Sequence, residues 1–97
     1  MQSYKRIDVD EIRRSFPIQS FLQIRGVNVR RSGGGYLCRC HLGGHDDKHP
    51  SFSIKGDRWV CWSHPGGEMK GDIIDLIMIM YGDNFVDAVK RLRGGML

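Results

Sequence analysis

The sequence lacks a long hydrophobic run. Its longest apolar stretch is the nine residues 73–81, which include Asp75, whereas a membrane-spanning helix needs about 20 residues. No apolar segment follows Lys5 and Arg6, so a secretory signal is not indicated. We therefore predict a cytoplasmic protein with no membrane partner.

Cysteine is scarce, and three cysteines cannot all form disulfides. All three cysteines and all four histidines lie between Cys38 and His64. In a reducing compartment, such a cluster is more typical of a metal site than of disulfides. Ten of the 13 glycines lie between Gly26 and Gly71, which leaves little room for a hydrophobic core there. We therefore expect a bound metal to stabilise this segment.

Acidic residues are also few in the middle of the chain. Residues 25–70 contain eight basic and four acidic residues, whereas the flanking segments are close to neutral. The N-terminal flank carries helix patterns over 8–16 and 18–24, and the C-terminal flank carries them over 72–81 and 85–92. Phe85, Val86, Val89 and Leu92 are predicted to form one face of the last helix. Asp72 and Asp75 are interpreted as helix-capping residues rather than as a metal-binding pair.

The middle segment is predicted to form a small antiparallel sheet. Alternation indicates strands around Val27 and Val29, over 36–40, and in a hairpin over 51–61 that turns at Gly56. The predicted class is α+β, a zinc ribbon flanked by N-terminal and C-terminal helices. We predict one domain over 1–97, with a helical flank at 8–25, the ribbon at 27–70 and a helical pair at 72–93.

Zinc prefers four tetrahedral ligands, which ribbons supply as two close pairs. Cys61 and His64 form one pair with a two-residue gap. The first pair is either Cys38 with His41 or Cys40 with His45, and the spacing to Cys61 suits both. A closed four-ligand site leaves no position for an activated water, so we predict one structural Zn²⁺.

Several segments together resemble the zinc-binding domain of bacterial DnaG-type DNA primases. The resemblance lies in HDDKHPSFSI at 45–54, WVCWSHPGG at 59–67, GDIIDL at 71–76 and FVDAVKRL at 85–92. Tyr36 also matches a tyrosine that precedes the first ligand of the family. The similarity covers residues 8–93. It departs where the family has Cys in place of His64 and where this chain has extra residues between the first two ligands.

The resemblance favours one of the two ligand pairs. Keeping Tyr36 and the segment at 45–54 in register requires a single two-residue insertion, and the implied ligands are Cys40, His45, Cys61 and His64. The alternative pair, Cys38 with His41, requires both a deletion and an insertion.

By resemblance, the chain is a non-catalytic module that binds single-stranded template DNA in replication or priming. Cations that contact phosphates and aromatic rings that stack on bases are typical of single-strand binders. Phe52 is expected in the core, and the predicted DNA-binding residues are Trp62, Lys48, Lys55, Arg58 and Arg39. The chain is either a protein of a phage or mobile element or part of a larger primase. The alternative is an adaptor that docks a helicase, a polymerase or a primase catalytic subunit.

Overall fold

The structure, a computed structural model, describes residues 8–39, 51–62 and 69–95. These ranges contain four helices and five strands, so the predicted α+β class is confirmed. The elements, in chain order, are α1 Val9–Ser15, α2 Ile18–Ile24, β1 Arg30–Ser32, β2 Gly35–Cys38, β3 Phe52–Lys55, β4 Arg58–Cys61, β5 Met69–Gly71, α3 Ile73–Tyr81 and α4 Phe85–Gly94. None of the helices in the described ranges is long and apolar enough to span a membrane.

The strands form one antiparallel sheet in which each strand pairs with the next along the chain. The predicted β3–β4 hairpin is confirmed, with Lys55 opposite Arg58 across a two-residue turn. Gly56 in that turn has φ 59°, a conformation that glycine adopts at little steric cost. The hairpin therefore sets the register of the sheet centre.

The core lies on one face of the sheet, where alternate side chains of β3 and β4 are buried. The rings of Phe52 and Trp59 stack with centroids 5.0 Å apart and planes at 11°. The same buried cluster includes Ile54, Cys61 and residues from all four helices. The expected core position of Phe52 is confirmed, because its side chain is fully buried.

The helix boundaries follow the capping signals of the sequence. The Asp8 side chain accepts a hydrogen bond from the backbone N–H of Glu11 at 3.1 Å, at the start of α1. Asn84 accepts one from Asp87 at 2.8 Å, at the start of α4. Gly82 ends α3 with φ 71°, the left-handed conformation that glycine favours. The four predicted helices are confirmed.

The predicted position of the first strand is wrong, and one strand was missed. Val27 and Val29 precede β1 and pack against the core, while the three residues of the strand itself are exposed. The N–H of Val27 bonds the carbonyl of Leu22 at 3.0 Å, so the chain is still completing the turn after α2. The strand Met69–Gly71 was not predicted, because three residues with a glycine carry no visible alternation.

The face predicted for α4 is only partly buried in the structure. Ala88, Val89 and Leu92 are buried, whereas Phe85 and Val86 are 39% and 49% exposed. Both exposed residues lie in the first turn of α4, and the stripe buried in the core begins one turn later. Only this later part of the helix belongs to the buried cluster.

Asp72 and Asp75 form a capping box at the start of α3, as the sequence analysis predicts. The Asp72 carboxylate accepts the Asp75 N–H at 2.9 Å, and the Asp75 carboxylate accepts the Asp72 N–H at 3.0 Å. Arg13 of α1 donates to the Asp72 carboxylate through Nε at 3.0 Å and forms an ion pair with it through Nη2 at 2.9 Å. The box therefore joins α1 to α3.

The two carboxyl groups have opposite pKa shifts. Burial raises the pKa of Asp72, but hydrogen bonds from the Asp75 N–H and from Arg13 outweigh it, and the net pKa is lowered. For Asp75, burial raises the pKa, the Asp72 N–H lowers it, the Asp72 charge raises it, and the net pKa is raised. The fold thus favours the ionised form of Asp72 and disfavours that of Asp75.

Matched amide substitutions test this asymmetry. At pH 7 with excess zinc, Asp72→Asn should lower the free energy of unfolding by about 1–3 kcal/mol, because Arg13 loses its charged partner. Asp75→Asn should leave the free energy of unfolding unchanged or raise it, because the amide oxygen still accepts the Asp72 N–H without the charge repulsion. Urea denaturation measures both.

The pH dependence of the same two variants provides a second readout. The contribution of Asp72 is present above its ordinary pKa and is lost as the pH falls through its lowered pKa. Any advantage of Asp75→Asn should disappear as the pH falls and Asp75 takes up its proton. Equal losses from the two variants at pH 7 would contradict the assignment of roles.

Candidate metal centre and nucleic-acid interface

The sheet has a second face, opposite the core, which we call the outer face. Because side chains alternate along a strand, the register assigns to it one set of residues: Arg30, Ser32, Leu37, Ser53, Lys55, Arg58, Val60 and Lys70. Leu37 and Val60 are half-buried and do not belong to the core cluster, whereas Tyr36 beside them packs against that cluster. The burial pattern therefore agrees with the alternation.

The outer face is cationic. Arg30, Lys55, Arg58 and Lys70 are exposed, and none of the five described strands contains an acidic residue. Among the described residues, no ion pair involves Arg30, Lys55 or Arg58. A surface of this kind attracts polyanions at moderate range.

The predicted pair Lys55 and Arg58 lies at the turn end of the β3–β4 hairpin. The two residues face each other across the strands, so both can approach one phosphate group. The charge of Arg58 also reaches Asp75, where it partly opposes the net rise in the pKa of that carboxyl, which burial mainly causes. Cross-strand pairing thus brings together two cations that the sequence analysis selected from their positions around a turn.

Trp62 lies at the opposite end of β4. Its backbone N–H donates to the carbonyl of Ser51 at 3.2 Å, which continues the β3–β4 ladder by one pair. Its side chain is 58% exposed, so the predicted exposure is confirmed, while base stacking stays a prediction. Arg39, which directly follows β2, is also exposed. Lys48 lies outside the described residues.

Of the four predicted zinc ligands, the described residues include only Cys61. It is the last residue of β4, is fully buried, and its Sγ lies 3.8 Å from the Ser51 Oγ. Cys40, His45 and His64, together with His41 of the alternative pair, lie outside the described residues. Within 8–39, 51–62 and 69–95, no group of three or more His, Cys, Asp or Glu side chains converges on one point.

Cys38 and Cys61 lie on the same row of the core face, with Phe52 between them. Cys38 is paired with Phe52, and Phe52 with Cys61. Two strand spacings separate the cysteine Cα atoms by about 9.6 Å. Phe52, which is paired with both cysteines, thus lies between them on the sheet, with its ring stacked on Trp59.

The outer face contains two cations that the sequence analysis did not select. It counted Arg30 and Lys70 among the basic residues of the middle segment, but nothing local distinguished them from Arg25 or Arg31. The pairing of β1 with β2 and of β4 with β5 places them at opposite edges of the outer face. The only sequence signal was the alternation within each strand, and these strands are three residues long.

Comparisons with known proteins agree on one family. Residues 4–96 match the DnaG zinc-ribbon family model, described as the CHC2 zinc finger. The chain is 30% identical over 90 residues to a DNA primase of Staphylococcus epidermidis, covering 90% of this chain and 14% of that protein. It is 33% identical over 61 residues to a DNA primase of Mycoplasma genitalium, covering 61% of this chain and 10% of that protein.

A solved structure shows the same fold. The crystal structure of the Aquifex aeolicus primase, containing its zinc-binding and RNA polymerase domains, superposes with a TM-score of 0.70 at 24% identity. The match covers 97% of this chain and 21% of that one. The chain thus spans about a tenth to a fifth of the length of these primases, and the match falls on their zinc finger.

Proposed function

We propose that this chain, which belongs to the CHC2 zinc-finger family of DnaG-type primases, binds single-stranded DNA on the outer face of its sheet. The observation that carries the proposal is the distribution of charge. Exposed cations gather on the one sheet face that the helices leave uncovered, and the described strands contribute no carboxylate to it. The exposed Trp62 at one end of this face can stack on a base.

Single-stranded DNA suits this surface better than the grooves of a duplex. The described helices pack against the opposite face of the sheet from these cations, and a five-stranded sheet is too broad for the major groove, which is about 12 Å wide. A flexible strand can instead lie across the sheet, with phosphates near Lys55 and Arg58 and a base on Trp62. Arg39 and Lys48 are assigned supporting phosphate contacts.

We further propose one structural zinc, held by Cys40, His45, Cys61 and His64. The donor set suits zinc, since two thiolates and two imidazoles form a complete tetrahedral shell. The single two-residue insertion that keeps Tyr36 and residues 45–54 in register with the family favours Cys40 over Cys38 as the partner of Cys61. When bound, the metal would cross-link the ends of strands that are only three or four residues long.

The proposed role is non-catalytic. The zinc finger is not the catalytic part of a primase, and a closed four-ligand site offers no open position for substrate. The chain would help to select or hold template while a separate primase catalytic subunit, polymerase or helicase acts. The proposal applies equally to a protein of a phage or mobile element and to part of a longer primase.

Paired cysteine substitutions test the ligand set. Cys40→Ser should lose the bound zinc and unfold the ribbon, because structural zinc contributes on the order of 10 kcal/mol in small fingers. Cys38→Ser makes the same chemical change two residues away and should retain one zinc per chain. Metal analysis after dialysis and a thermal melt measure both. If Cys38→Ser loses zinc while Cys40→Ser keeps it, the ligand pair is Cys38 with His41.

Trp62→Ala tests base stacking. The variant should keep the melting temperature of the parent, because the ring is exposed, and should lose about 5- to 150-fold in affinity for labelled oligothymidylate, the equivalent of about 1–3 kcal/mol. Phe85→Ala removes another exposed aromatic ring, on α4, and serves as the matched control. Fluorescence anisotropy measures the affinities, and equal affinities for the two variants would rule out stacking by Trp62.

Salt dependence separates DNA binding from the adaptor function. Phosphate contacts predict that affinity falls with salt, with a log–log slope near −0.7 for each phosphate contacted on a single strand. If the zinc-loaded chain shows no salt-dependent affinity for oligothymidylate, the adaptor function is favoured instead. The exposed Phe85 and Val86 would then be the first surface to test for protein docking.

A further inference from the structure

We infer that the bound single strand crosses the outer face transversely, at right angles to the β-strands, between Lys70 at one edge and Arg30 at the other. Both residues would contact phosphates. The inference rests on the proposed function and adds two binding residues and a direction to it. It follows from the register of the whole sheet.

One row of paired residues crosses all five strands. It runs Arg30, Leu37, Ser53, Val60, Lys70, each opposite the next in the antiparallel register. Four strand spacings of about 4.8 Å separate the two ends by about 19 Å. The row thus carries a cation at each edge of the sheet and three uncharged residues between them.

The middle of the row is suited to lie beneath a nucleic-acid strand. Leu37, Ser53 and Val60 are half-buried, so they form an uncharged patch that lies below the exposed cations. We call this patch the floor. Bases or sugars can contact this floor without desolvating an ionised group, which would be costly. Charged residues surround the floor and do not interrupt it.

The neighbouring rows border this floor on both sides. Lys55 and Arg58 lie one row away toward the hairpin turn, and Trp62 lies one row away at the other end of β4. Residues two apart on a strand are about 6.7 Å apart. A strand that follows the central row therefore passes within side-chain reach of all three.

The competing path runs lengthwise along β4, from Arg58 to Trp62. It would cover about 13 Å and would leave Arg30 three strands away, about 14 Å to the side. Arg30 would then contribute only a weak attraction, because this distance exceeds the Debye length of about 8 Å at physiological salt. The two paths therefore differ in the expected effect of removing Arg30.

Arg30 and Arg31 make a matched pair for the test. They are adjacent, identical in type and both exposed, but Arg31 is paired with Tyr36 and belongs to the opposite face. We would measure the affinity of zinc-loaded Arg30→Ala, Arg31→Ala and Lys70→Ala for labelled dT12 over a range of salt concentrations. Thermal melts would verify that each variant is folded.

The transverse path predicts that Arg30→Ala and Lys70→Ala each weaken binding several-fold and each reduce the steepness of the salt slope by about 0.7. Arg31→Ala should change neither. The affinity of the parent chain should rise as the oligothymidylate is lengthened up to about six nucleotides, which span about 19 Å at a stacked rise of about 3.4 Å. In Arg30→Ala this rise should stop at a shorter length.

The outcomes are distinguishable. If the parent binds dT12 and Arg30→Ala matches Arg31→Ala, the transverse path is wrong while the proposed function stands. If Lys55→Ala and Arg58→Ala weaken binding and the two edge variants do not, the lengthwise path replaces it. If the parent itself does not bind dT12, the proposed function fails, and the path fails with it.

Discussion

The contact between Trp59 and the start of α3 is the interaction on which the rest of the structure depends. The indole Nε1 donates to the Asp72 carbonyl at 2.8 Å in a buried environment. The same carbonyl accepts the first helical hydrogen bond of α3, from Leu76 at 3.0 Å. The Asp72 side chain in turn binds Arg13 of α1. One residue thus joins the central sheet, the C-terminal helices and the N-terminal helices.

The contact between Trp59 and Asp72 also determines which face of the sheet the helices leave uncovered. With Trp59 held inward against Phe52 and α3, alternation along β4 turns Cys61 inward and Arg58 and Val60 outward. A register shift of one residue would exchange these sets and bury the cations. The proposed metal ligand and the proposed DNA contacts therefore depend on the same packing, although they lie on opposite faces of one strand.

The short strands explain why the contact between Trp59 and Asp72 matters for stability. Strands of three or four residues are below the usual length of five or six, and β1 contributes no buried side chain. The helices stabilise the sheet from one side, and a zinc ion at the strand ends would stabilise it further. The outer face carries little of this stabilisation, so its exposed cations can serve binding at small cost to the fold. Exposed side chains away from caps and ion pairs usually tolerate substitution well.

Local signals in the sequence determined the helices, the β3–β4 hairpin, the α+β class and the family, because caps, a Gly turn and short motifs act over only a few residues. Asp72 and Asp75 could be interpreted as a capping box from their spacing alone. Tertiary structure decided what depends on pairing between distant segments. It put Arg30 and Lys70 on one row, set Phe52 between Cys38 and Cys61, and left Phe85 and Val86 exposed. Such placements depend on which segments pack together, and no periodicity within three residues of β1 or β5 could encode that choice.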